Sequence, residues 1–374
     1  MGGEGEVVAG LRGIALRGLA AMYRPEAGLF PLRVRREGAK IVAEGESLRY
    51  TAIAVIGLAG EAPETVSTVL AGGKLSDVCA RLAGRIAERS DPGNGWMALG
   101  DVSAVFWACC AAGYPDRKPV MERLVRLRPE DGNWPTVEVA WALAALCNDA
   151  NSTEGMRERL ARRLVSSQNG RTGVFPHRID GGSGLRSHVA CFADMVYPIY
   201  ALSLHHALSG DPPSLAAAER CAGRICGEQG AAGQWWWHYD RRTGEVVERY
   251  PVYAVHQDAM APMALFALEE AGGTDYGSNI SRGLAWLAES PELGGGSLVD
   301  RQADVVWRKV ARRGPGKLTR YLQAAASRIH PSFRLPWVDA LFPPVSIDYE
   351  DRPYHLGWFL HAFPRERAER MEAK

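Results

Sequence analysis

The chain has no run of eighteen apolar residues, so no segment of it spans a membrane as a helix. It has no surplus of either charge. Forty-four Lys and Arg stand against 43 Asp and Glu, a net charge of +1, and this leaves no global field to gather nucleic acid or an acidic membrane. The local basic runs, Arg33–Arg36 and Arg308–Arg313, read as solvated faces. Cysteine is sparse: seven in number, odd, and without framework spacing, which argues against a paired secreted scaffold. Cys109, Cys110, Cys147, Cys191 and Cys221 fall inside helical patterns as buried thiols. Cys221, Cys226 and His238 lack the spacing of a zinc site, and no metal or cofactor is expected. The stretch Met1–Val8 lacks the basic start and apolar run of a secretory signal. These absences together predict a reducing, cytoplasmic setting. Strand-like runs are also few, with Gly38–Ala43 and Glu245–Tyr253 suited to short hairpins.

What the chain does have is repetition. Six segments are apolar nearly all round: Leu48–Ala59, Asp101–Ala112, Thr136–Leu146, Cys191–Leu208, His256–Glu269 and Arg352–Phe363. Between them run amphipathic segments with charged faces: Val7–Tyr23, Leu75–Arg89, Lys118–Arg126, Glu154–Gln168, Ser214–Gly227 and Tyr276–Ala288. An apolar helix is covered on every side, whereas an amphipathic one covers something else. Alternation at a period of about fifty residues therefore predicts two layers of helices, the inner one buried. The expected fold is all-α, an (α/α)6 toroid of six inner and six outer helices, in one domain over 1–374. Two long connections interrupt it, at about 28–46 and 291–350. The second holds a helix-like Ala303–Ile329 and a Pro-rich Pro331–Pro344. Long ordered insertions of this kind serve as lids or binding loops.

One stretch stands out, Gln229 to Leu268. Trp235, Trp236 and Trp237 lead into His238, and Tyr253 delivers His256, Gln257 and Asp258 to the fifth apolar helix. A loop this aromatic either plugs the end of a core or forms a binding surface.

The helical repeat resembles the toroid superfamilies, namely the six-hairpin glycosidase-like enzymes and the terpenoid cyclase or protein prenyltransferase group. Gln229 to Trp235 fits the Q-x-x-x-G-x-W repeat of terpenoid cyclases, and Asp131-Gly132-Asn133-Trp134 is similar to the same element. The cyclases' D-x-D-D acid and D-D-x-x-D magnesium motif are missing, as is a zinc set, so these pieces read as structural. The resemblance to the six-hairpin group implies a funnel at one face of the ring, lined with aromatic residues and a few acids.

Polar residues do gather at the starts of the apolar helices. They are Arg49 and Tyr50, then Asp101, then Glu138, then Asp194 and Tyr197, then His256, Gln257 and Asp258, and finally Asp351, Tyr354 and His355. Parallel inner helices bring these starts to one face. Acidic residues also favour a first helical turn with no substrate present, by capping N–H groups and meeting the dipole, so Asp101 and Glu138 admit that reading too. Asp194 and Asp258 each precede a proline in the same helix, Pro198 and Pro262, and a bend there opens room in the bore. Glycoside hydrolysis needs one carboxylic acid and one carboxylate. Asp194 and Asp258 are the expected catalytic pair, with His256 and Tyr253 beside them. Arg49, Tyr50, Asp101, Tyr197, Trp235, Trp236, Trp237, His238, Gln257, Tyr354 and His355 are the expected substrate contacts. Arg49, His256 and Tyr253 equally suit proton abstraction beside a uronate carboxylate. The expected partner is a small molecule or an oligosaccharide. Two alternatives stand beside this: an isoprenoid-handling enzyme, and a non-catalytic module that holds a glycan.

Overall fold

The computed structural model describes residues 3–88, 99–149, 154–314, 316–330, 333, 335 and 337–373. In chain order the first helices are α1 (Glu4–Met22), α2 (Leu48–Leu58), α3 (Pro63–Val69), α4 (Leu75–Glu88), α5 (Leu99–Ala111), α6 (Lys118–Arg126), α7 (Thr136–Cys147) and α8 (Glu154–Ser167). There follow α9 (Ala193–Ser209), α10 (Pro212–Gly227), α11 (Ala261–Glu270), α12 (Gly277–Ala288), α13 (Gly316–Ile329), α14 (Trp337–Leu341), α15 (Pro353–Ala362) and α16 (Arg365–Glu372).

Helices α2, α5, α7, α9, α11 and α15 each pack on the next, and α15 packs back on α2. The ring is closed. Helices α1, α4, α6, α8, α10 and α12 lie outside it, each against its own inner neighbours. The two layers follow from the two patterns. On α7 every residue from Val139 to Leu146 is buried. On α4 only Val78, Cys79, Leu82, Ala83 and Ile86 are buried, one stripe at helical spacing. Where the ring closes, α2 and α15 cross at Gly57 and Gly357, and a Cβ on Gly57 would overlap the Gly357 carbonyl. No larger residue fits that seam.

The strands are short, and all lie in connections that lead toward inner-helix starts. Strands β1 (Arg33–Glu37) and β2 (Lys40–Glu44) form the expected first hairpin, antiparallel, with Val34 opposite Ala43. Next come β3 (Val189–Cys191), β4 (His238–Asp240), β5 (Val246–Glu248) and β6 (Val252–Tyr253), then β7 (Val299–Asp300), β8 (Val305–Val306), β9 (Lys309–Ala311), β10 (Ser346–Asp348) and β11 (Glu350–Asp351). The sheets are β11-β1-β2, β10-β9-β6, β3-β4-β5 and β7-β8.

Two expectations are corrected, and a third is sharpened. Glu245–Tyr253 is not a hairpin of its own, because β5 pairs with β4 and β6 with β9. Ala303–Ile329 is not one helix: β-branched Val305, Val306 and Val310 form β8 and β9, Gly314 turns the chain at φ 103°, and α13 begins only afterwards. The distortion expected at Pro262 is a local widening and not a break, since the helical run continues from 254 to 270 through Pro262. Pro262 sits in the first turn of α11, and a π-helical turn, His256–Met260, precedes it. Proline has no N–H to offer the carbonyl of Asp258, so the turn widens before it.

Candidate active site

The starts of the inner helices converge, as the repeat requires, and they build two clusters. The first lies at the rim. Arg49, one turn into α2, donates from Nε to Asp101 Oδ1 at 2.8 Å. Its Nη2 lies 3.6 Å from Glu138 Oε1, and its guanidinium covers the Trp141 ring at 5.2 Å. One arginine thus bridges carboxylates from two neighbouring helices. Burial raises the Glu138 pKa, against the pull of Arg49 and the Gly100 N–H. Gly100 gives the pair room, since a Cβ there would lie 3.0 Å from both Arg49 and Glu138 and make them shift. Tyr197 packs edge-on against Trp141 at 5.0 Å, and Tyr50 lies on Tyr354 at 4.7 Å with its hydroxyl accepting from Arg352 Nη1 at 2.7 Å.

Farther along the rim, Asp194 is enclosed, and its carboxylate accepts from the Cys191 N–H at 2.8 Å and from His177 Nδ1 at 3.0 Å. The His177 side chain is 62% exposed, and Asp194 raises its pKa. The His177 carbonyl accepts from the Thr136 N–H, two residues before Glu138, so this imidazole borders the same rim.

The second cluster is internal. Asp258 is 1% exposed, and both its oxygens accept from His355 Nε2, at 2.8 and 3.0 Å. On the other side of the same ring, Nδ1 lies 3.8 Å from Asp351. Burial pushes the Asp351 carboxyl up to about 6. For His355 burial pulls the pKa down, but the two carboxylates outweigh it and the net shift is upward. His256 is also buried, between Phe192 at 4.6 Å and Tyr253 at 5.0 Å, and desolvation lowers its pKa to about 3. Its Nδ1 has no hydrogen-bond partner among the described residues.

The three tryptophans divide. Trp235 and Trp236 are core residues. Gln257 ties the loop down: its Oε1 accepts from the Trp235 N–H at 3.0 Å, and its Nε2 donates to the Tyr253 carbonyl. Trp237 alone is partly open. It stacks on His238 at 4.1 Å and meets Tyr253 edge-on at 5.1 Å, with the Arg320 guanidinium over its ring at 4.8 Å. His238 is buried, and desolvation together with Arg186 holds its pKa well down. Its Nε2 accepts from Arg186 Nη2 at 3.1 Å.

Cations crowd this side. Arg308 and Lys309 each lie 5.3 Å from the Tyr253 ring centre, and both are compensated, Arg308 by Glu350 at 3.1 Å and Lys309 by Asp348 at 2.8 Å. Arg320 bonds no carboxylate among the described residues. A hollow of about 400 Å³ between Tyr250, Lys309, Arg320 and Asp348 opens beside it. Larger clefts, of about 920 and 950 Å³, lie elsewhere and contain none of the rim carboxylates.

The structure leaves Arg49, Tyr50, Asp101 and Tyr354 partly exposed, and Tyr197 buried beside Trp141. It encloses Asp258, His256, His355, Gln257, Trp235 and Trp236. Sequence reasoning gave no role to His177, Trp141, Arg186, Arg320 or Arg352. Arg308 carried the only signal among the added cations, as part of a basic run.

No family model matches the chain, and no curated protein matches it in sequence. Solved structures do. An unsaturated glucuronyl hydrolase from Bacillus sp. GL1, described as responsible for the degradation of glycosaminoglycan, superposes over 96% of this chain and 96% of its own, at 12% identity and a TM-score of 0.59. The fold is an (α/α)6 toroid. An alpha-1,6-mannanase of Salegentibacter sp. HEL1_6, in complex with alpha-1,6-mannotriose, covers 98% of this toroid and 99% of its own chain at 11% identity, with a TM-score of 0.57. A possible member of the GH105 family from Klebsiella pneumoniae subsp. pneumoniae MGH 78578 covers 99% and 95% at 10% identity, also with a TM-score of 0.57. At such identities the likeness is one of fold.

The Q-x-x-x-G-x-W element has a structural task in this toroid. Gln229 donates to the carbonyls of Gly233 and Asn279, both at 2.9 Å, which ties the loop to α12. Gly233, at φ 102°, leaves no room for a side chain against the Arg282 carbonyl.

Proposed function

We propose that the protein is a carbohydrate-active enzyme that hydrolyses a glycosidic bond in an acidic, uronate-containing glycan. The observation that carries this is the pair of carboxylates, Asp101 and Glu138, in unlike surroundings and bridged by Arg49 at the rim. Glu138, whose pKa burial raises, is the carboxyl suited to protonating the leaving oxygen. Asp101, more open and paired with Arg49, is the carboxylate that activates water or attacks the sugar. Trp237 and the Tyr50–Tyr354 pair offer faces for sugar rings, and Arg320, with no carboxylate of its own, suits the substrate's acid group. The fold shared with glycan-active enzymes is consistent with this reading.

Asp258 and Asp194, the pair expected from the sequence, take different parts here. Asp258 holds His355, and Asp194 holds the exposed His177. The His177–Asp194 pair favours a second reading, removal of the proton beside a uronate carboxylate, as in elimination or epimerisation.

The test is thermal shift with panels of neutral glycans, uronate-containing glycans and prenyl diphosphates, followed by turnover of whichever ligand binds. A ligand at about a hundred times its dissociation constant stabilises the fold by roughly 2.7 kcal/mol. Binding of acidic glycans with release of a reducing end supports hydrolysis. A new double bond, seen by ultraviolet absorbance, selects the second reading. Binding of prenyl diphosphates alone overturns both.

A further inference from the structure

Helix α13 is inverted. Its polar residues Thr319, Gln323 and Ser327 are buried against the protein, while Leu318, Tyr321 and Ile329 are 51, 52 and 82% exposed. The buried polar groups are used: Gln323 Oε1 accepts from the Leu335 N–H at 3.2 Å, and Ser327 Oγ meets His188 Nε2 at 2.9 Å. On the outward stripe only Tyr321 meets such a partner among the described residues, the Arg186 guanidinium at 5.4 Å. The stripe continues on α14, where Val338 is buried but Trp337 and Leu341 are 45 and 64% exposed. Of the thirteen large apolar side chains exposed among the described residues, eight fall between Leu318 and Tyr349. Gln323 of α13 thus holds the chain just before α14, and Arg312, after β9, donates to the Phe342 carbonyl just past its end.

Charge decides what covers this face. Helix α13 carries Lys317, Arg320 and Arg328 and no acid, and Asp339 of α14 is answered by the buried Arg312, on a chain whose whole net charge is +1. Apolar and aromatic side chains on a short helix, flanked by cations, form the pattern that lies in a lipid–water interface, with stems and rings among acyl chains and charges among headgroups. The helix has 14 residues, and no helix among the described residues is long and apolar enough to cross a bilayer.

We propose that α13 and α14 form a docking face for the surface of an anionic phospholipid bilayer. The face adjoins the rim, with Arg320 of α13 over Trp237 at 4.8 Å and Arg186 over Tyr321 at 5.4 Å. Docking there sets the candidate site at the lipid–water boundary, within reach of a glycan carried on a lipid. This goes beyond the reaction proposed above and does not depend on it.

The test is cosedimentation of the full chain with vesicles of phosphatidylcholine, alone or mixed with phosphatidylglycerol. Binding to the mixed vesicles, weak on phosphatidylcholine alone and reduced by added salt, is the expected result. A Leu318→Ser/Ile329→Ser/Leu341→Ser variant, altered only at exposed positions, should keep its melting curve and lose at least tenfold in binding. Arg313→Glu/Arg328→Glu tests the charge arm separately and should also lose binding. No binding of the wild-type chain to mixed vesicles overturns the proposal, as does equal binding by the triple variant. A wild-type chain that ignores vesicles but dimerises, with the triple variant monomeric, assigns the face to a second copy and overturns it as well. Vesicle binding without turnover of any glycan leaves the docking face standing and removes the proposed reaction.

Discussion

Two clusters of acids and bases lie on adjoining parts of the ring, where α15 packs on α2, and they are built for different work. The rim cluster, Arg49 with Asp101 and Glu138, is only partly covered, with side-chain exposures of 27, 23 and 11%. The internal cluster, Asp258–His355–Asp351, is closed off on every side. Both arise from the same local rule, polar residues at inner-helix starts. The difference is access. A charge that a substrate can reach is available for chemistry, whereas a charge sealed against its counter-ion mainly holds neighbouring segments in place. Asp351 shows this directly, since it also accepts backbone N–H groups from Val306 and Arg352 and so joins β8 to the start of α15.

The comparison can be broken by substitution. Asp258→Ala leaves the His355 imidazole buried beside one distant carboxylate, and should cost about 3–5 kcal/mol in denaturant unfolding. Glu138→Gln should do the reverse, lowering turnover about 10²- to 10⁴-fold while stability is unchanged or slightly higher. If Glu138→Gln unfolds the protein and Asp258→Ala only slows it, the assignment of the two clusters is inverted. Arg320→Ala should raise KM for acidic glycans by roughly ten- to a hundredfold, the worth of a charged hydrogen bond, and leave neutral ligands alone.

The smallest effects sharpen the contrast by pH. Asp351 keeps its proton to about pH 6 in the fold, against an ordinary value of 3.8. The native state then binds more protons than the unfolded chain, so this group's contribution to stability falls as pH rises from about 4 to 6. Asp351→Asn should remove that slope. His256 has the opposite sign: ordinary value 6.5, about 3 in the fold. The native state there binds fewer protons, so stability falls as pH drops from about 6.5 toward 3, and His256→Leu should flatten that side. Urea titrations at half-unit pH steps measure both.

The fold was legible because its signal is periodic. Apolar and amphipathic segments alternate over most of the chain, and burial on all sides or on one side follows from composition alone. The candidate site was legible only in outline. Convergence of helix starts followed from the ring, and Arg49, Asp101 and Glu138 do meet. Burial within that face did not follow. Trp235 and Trp237 are two residues apart, yet one is wholly enclosed and the other opens to the rim, because Gln257 pins the first under the π-helical turn. His177 and Arg320 came from loops with no periodic pattern to place them.

By itself the sequence determined the number and order of the helices in the ring, the layer each occupies and the face where the polar starts meet, since all three follow from local periodicity and chain direction. Only the tertiary structure decided which of those polar groups face solvent, which cations lack a partner, and that the insertion turns its apolar stripe outward. Those outcomes depend on contacts between segments far apart in the chain: His355 with Asp258, Arg320 with Trp237, His188 with Ser327. Burial and ion pairing are properties of such contacts, and no window of neighbouring residues contains them.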